Sequence, residues 1–109
     1  MMAANRTVLS PKVLTGEGVY GLSVIRVHDD GVEVEPFERE TPATVFVPSP
    51  VAILKTSVIT EFLLDDIAAI MGDYPLAAAL EKLHTLFSSS ALYFINGDSA
   101  ERPAVIELR

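Results

Sequence analysis

The sequence predicts an α+β domain: a mainly antiparallel sheet of about five or six strands, covered on one face by a pair of helices over about residues 58–71 and 75–87. Three observations carry this expectation. Residues 61–87 hold the one long helical periodicity. Short runs rich in Val, Ile and aromatic residues lie before and after it. Gly, Pro, Asn and Asp punctuate those runs where turns belong. The pattern leaves strand order open. At 109 residues the chain reads as one domain, 1–109, with residues 1–6 as a loose arm.

Thr7 to Leu14 contains Pro11, which cannot donate to a ladder, so this stretch reads as an edge strand or two short pieces. Gly16, Gly18 and Gly21 match G-x-G-x-x-G spacing. That fingerprint requires a helix to start on the loop, and here Leu22 to Val27 reads as a strand, so the glycines make a flexible turn. Residues 19–28 form the best strand of the first half. Asp29-Asp30-Gly31 then suits a three-residue hairpin connection. In the strand that follows, Val32 and Val34 take one face and Glu33 and Glu35 the other. Residues 44–47 and 51–54 are short, continuously apolar and bounded by prolines, which predicts cover on both faces.

Leu63, Ile67, Ile70 and Met71 form the stripe of the first helix, with Glu61, Asp65 and Asp66 at its positive end. Thr56-Ser57 is a candidate cap. Gly72 is placed to close this helix. Pro75 suits the first turn of the second, whose stripe is Leu76, Leu80, Leu83 and Phe87. Residues 91–95 (ALYFI) read as a buried strand, Asn96-Gly97 as a turn, and residues 104–108 as the closing strand.

Composition narrows the functional classes. A net charge of −7, with three lysines and five arginines scattered along the chain, speaks against nucleic acid and against anionic membrane surfaces. No cysteine is present, so neither disulfide nor thiol chemistry is expected, and a cytoplasmic location fits. No stretch reaches the ~20 apolar residues of a membrane span, and no signal peptide is evident. Asn5-Arg6-Thr7 matches a glycosylation acceptor by chance in that context.

Four constellations contain residue types that can carry chemistry. His28, Asp29 and Asp30 with Glu33 and Glu35 contain metal-ligand types, but one histidine among turn aspartates reads as a hairpin with a solvated acidic face, so no metal is expected. Residues 29–40 hold six acids against Arg39, and Glu33, Glu35, Glu38 and Glu40 offer a docking face for a basic protein. Glu61, Asp65 and Asp66 with His84 could pair for acid–base work, yet no nucleophile accompanies them, so no catalytic residue is assigned. The aromatic residues lack the basic surroundings of a nucleic-acid platform.

The favoured functional expectation is a non-catalytic, self-associating interaction or structural module, a homo-oligomer without cofactor, because 50% of the residues are hydrophobic and residues 44–47 look like a sparsely charged edge strand. A small-molecule binding protein or enzyme is the first alternative. Its pocket would lie between sheet and helices near Ala77–Ala79, with Tyr74, His84 and Tyr93 as ligand-binding groups. An acidic adaptor is the second.

Overall fold

The computed structural model describes residues 6–28, 30–38, 44–98 and 100–109. The chain runs β1 (Arg6–Ser10), β2 (Val13–Thr15), β3 (Gly18–Tyr20), β4 (Ser23–Val27), β5 (Val32–Pro36), β6 (Thr44–Phe46), β7 (Val51–Lys55), α1 (Glu61–Asp73), α2 (Leu76–Ser89) and β8 (Pro103–Glu107). The class is α+β, as expected. The sheet differs from expectation: in place of one antiparallel sheet there are two four-stranded mixed sheets, ordered β5-β4-β1-β6 and β3-β2-β7-β8. β1 runs parallel to β6 and β2 parallel to β7, while the other pairs are antiparallel.

The cause of the split lies in three short joints. Pro11-Lys12 carries the chain from the first sheet to the second, Gly21-Leu22 carries it back, and residues 47–50 cross again. Pro11 has no N–H for the ladder, so the strand breaks there into two pieces, both interior to their sheets. The expected strand over 19–28 is likewise divided. Ser10, fully buried, fastens the crossing: its hydroxyl lies 2.9 Å from the carbonyls of both Lys12 and Ser49. Because the strands cross together, the order β4-β1-β6 reappears as β3-β2-β7. Arg6, expected in the loose arm, opens β1; residues 1–5 lie outside the described residues, as do Asp29 and residues 39–43.

The layers are helix pair, second sheet, first sheet. One core joins Leu14, Ala52 and Leu54 of the second sheet to Leu63, Ile67, Leu80, Leu83 and Phe87 of the helices. The other joins Val13, Val51 and Ile53 to Val8, Ile25 and Val32 of the first sheet. β7 therefore sends alternate residues into two cores, which explains its unbroken apolar run. β6 does not share this cover: Val45 and Phe46 are 61% and 58% exposed, because β6 is an edge strand outside the helix-covered sheet.

The helices start and stop slightly later than expected. Thr60, rather than Thr56-Ser57, caps α1 by accepting from the Leu63 N–H at 3.1 Å; Thr56–Val58 form a short 3-10 turn. Gly72 lies inside α1. The helix ends at Tyr74, which the following Pro75 holds extended (φ −128°, ψ 152°). In α2 the stripe is buried except for Leu76, and Ala79 packs fully into the core. Among the described residues no helix is long and apolar enough to cross a membrane.

Residues 91–95 do not form the expected strand. β7 is paired along its whole length to β8, while on its other side β2 reaches only Val51 and Ala52 and leaves residues 53–55 open. Tyr93 fills that gap with a single bridge to Leu54, supported by the Lys55 N–H donating to the Leu92 carbonyl and the Phe94 N–H donating to the Ile53 carbonyl. Asn96-Gly97 is a turn, with Gly97 at φ +94°.

Candidate functional site

Where β2 parts from β7, the space between the layers opens into a cleft of about 580 Å³. The β2–β3 hairpin forms one wall through Thr15, Gly16, Glu17 and Tyr20. This turn is built locally. The Thr15 hydroxyl accepts from the Glu17 N–H at 3.1 Å and donates to the Gly18 carbonyl at 3.3 Å, and Gly18 takes φ +142°, which a side chain would resist. The Tyr20 hydroxyl donates to the Glu17 carboxylate at 3.3 Å. Val32 and Val34 of β5 and Ile53 and Lys55 of β7 form the sides, and the last turn of α2 adds Phe87 and Ser88.

The remaining wall is the irregular segment after α2. Ala91, at φ 55°, turns the chain back, and Tyr93, Phe94, Ile95 and Asn96 line the cleft. Asn96 clamps this segment to the first sheet. Its Oδ1 accepts from the Val32 N–H and its Nδ2 donates to the Val32 carbonyl, both at 2.8 Å, so the side chain replaces a neighbouring strand at the edge of β5. Gly31 has to be small here: a Cβ on it would sit 2.9 Å from the Asn96 Oδ1.

Tyr93 is buried at the base of the cleft. Its ring meets Phe87 edge to face, 5.5 Å between centroids. Its hydroxyl is 2.7 Å from the Nδ1 of His84. Burial pushes the phenol's pKa up from its ordinary value near 10, so Tyr93 keeps its proton and can donate it to Nδ1. His84 thus holds Tyr93 from the helix side and does not itself line the cleft. The third expected ligand group, Tyr74, stands at the opposite end of α2 from Phe87 and Ser88, beneath the Lys82 ammonium at 4.5 Å from its ring centre. Ala79 fills the helix–sheet contact, so the opening lies at the end of α2 and not at the alanines.

The other expected groups are dispersed. On the outer face of β5, Glu33 pairs with the Nε2 of His28 at 3.1 Å and Glu35 with Arg26 at 2.7 Å, an interaction that raises the arginine's pKa. Glu38 is exposed beyond β5; Glu40 and Asp29 lie outside the described residues. Glu61, Asp65 and Asp66 face solvent on α1, away from the hydrogen bond that His84 makes.

Thr15, Glu17, Lys55, Ser88 and Asn96 are cleft residues that the sequence did not single out for ligand contact. Turn chemistry marked Asn96 as part of a loop, but its bond to a strand 64 residues away leaves no local signal. The chain matches no family model, and it has no significant match among curated proteins or solved structures.

Proposed function

We propose that the chain binds a small molecule with an apolar body and a polar substituent in the cleft between the β2–β3 hairpin and the segment after α2. The observation that carries this is the cleft's size, about 580 Å³, combined with its lining. Val32, Val34, Ile53, Phe87 and Phe94 supply apolar walls, while Glu17, Lys55 and Asn96 supply a few polar groups. Ligand sites are commonly concave, mostly apolar and furnished with a small number of orienting polar groups. The Tyr93–His84 hydrogen bond supports the base of such a site without needing a reaction.

The test uses the fluorescent probe 1-anilinonaphthalene-8-sulfonate. Ser88, exposed in the last turn of α2, is replaced by Trp to fill the cleft. Saturable binding to the unmodified chain, weakened at least about tenfold by Ser88→Trp with an unchanged melting temperature, is the expected result. Equal binding by the two proteins would place the probe elsewhere and end the proposal.

Self-association is a second reading, favoured by the exposed Val45 and Phe46 on the edge strand β6. Light scattering across a concentration series tests it: a growing mass that Phe46→Lys abolishes supports it, and a constant monomer mass rejects it. An acidic docking face is less supported, since Glu33 and Glu35 already pair with His28 and Arg26.

A further inference from the structure

A second cavity, about 360 Å³, shares no lining residue with the cleft. Arg6, Val27 and His28 bound it from the first sheet; Thr56, Arg102 and the start of β8 bound it from the second. Arg6 pairs with Val27 across the ladder. Strand alternation places it on the face of β1 that carries the buried Val8, toward the other sheet. Arg102 is held at the opposite rim by its backbone: its carbonyl accepts from both the N–H and the hydroxyl of Thr56, each at 2.9 Å.

Among the described residues neither guanidinium has an ion-pair or hydrogen-bond partner, and none of those that line the cavity is an acid. The nearby described carboxylates contact groups other than these two guanidiniums: Glu33 the lining residue His28, Glu35 Arg26, Glu101 the Ser57 hydroxyl and Glu107 Arg109. In a chain of net charge −7, two arginines that line one cavity, neither of them ion-paired among the described residues, form a local positive site.

We propose that this cavity binds the phosphate group of a small soluble molecule. Each guanidinium offers a planar fork of donors matched to paired oxygens. Two positive charges balance a phosphate dianion, whereas a single carboxylate would leave one of them uncompensated. The acidity of the whole chain disfavours approach to an anionic membrane, which selects a soluble source.

The experiment is an amide-resolved NMR titration with inorganic phosphate, at ionic strength held constant with chloride, and with acetate as a parallel titrant. Saturable shifts centred on Val27, Thr56 and Val105 are expected, with acetate about tenfold weaker or worse. Arg6→Gln and Arg102→Gln are each expected to weaken phosphate binding about tenfold, and the double variant to abolish it. Both arginines are exposed, so the melting temperature in chloride should not move. Diffuse, non-saturating shifts, or phosphate binding that survives the double variant, would overturn the site. Equal binding of acetate would overturn the choice of phosphate. Capture by phosphatidic-acid vesicles through the same arginines would overturn the soluble source.

Discussion

At the scale of single residues, Asn96 and Gly31 form one device. Two hydrogen bonds of 2.8 Å tie the Asn96 amide to Val32, which is 7% exposed. Asn96→Ala is expected to cost about 1–3 kcal/mol in urea unfolding, because the Val32 backbone loses both partners near a dry edge. Gly31→Ala pushes a methyl group against the same Oδ1, so its cost should shrink when Asn96 is already Ala. A double-mutant cycle reads that coupling, and strictly additive costs would show that the clamp is not the reason for the glycine. Tyr93 adds a pH-dependent effect. Its folded pKa is raised, so below the ordinary value near 10 both folded and unfolded chains hold the proton and stability is unaffected. Above it the unfolded chain loses the proton first, and stability falls as pH rises. Alkaline unfolding curves should be less steep for Tyr93→Phe than for the unmodified chain. The two groups were legible to different degrees. Tyr93 and His84 stood out as polar groups near a helix–sheet contact, while their mutual hydrogen bond and the Asn96 clamp depend on tertiary placement.

At the scale of elements, legibility followed period and punctuation. Leu63, Ile67, Leu80, Leu83 and Phe87 repeat at helical spacing, and they are the residues the helices bury. Pro75 set the break between α1 and α2 through the extended Tyr74, which outweighed the stop signal at Gly72. Thr60→Ala should lower stability by about 1 kcal/mol, measured by thermal or urea unfolding, since it leaves the Leu63 N–H without its cap. Ser57→Ala should cost far less, as its hydroxyl meets Glu101 on the surface. Residues 91–95 misled because an apolar run reports burial, not pairing. Tyr93 and Phe94 are buried as that run implies, yet the segment meets β7 through one bridge at Leu54 and not through a ladder. Residues 44–47 misled only as to cover: their edge position was expected and β6 is an edge strand, but Val45 and Phe46, as apolar as β7, are exposed there.

At the scale of the molecule, the class was readable and the layering was not. Local patterning shows that β7 is apolar on both faces. It cannot show that one face meets helices and the other a second sheet, because that depends on joints such as Pro11-Lys12 turning the chain through the layers. The two cores meet in this strand, with Leu54 on the helix side and Ile53 on the sheet side. Ile53→Ala and Leu54→Ala should each cost about 2–5 kcal/mol in urea unfolding while leaving a single transition. A variant that melted in two steps would show that the cores are independent. One strand serving both sides also bears on how the protein breathes. The amides of β7 can meet solvent only if its neighbours let go on every side, so their deuterium exchange should proceed at the rate of whole-chain opening. A helix pair that lifted away alone would have to strip Ala52 and Leu54 bare while Val51 and Ile53 stayed packed. The chain has no seam along which to come apart by halves.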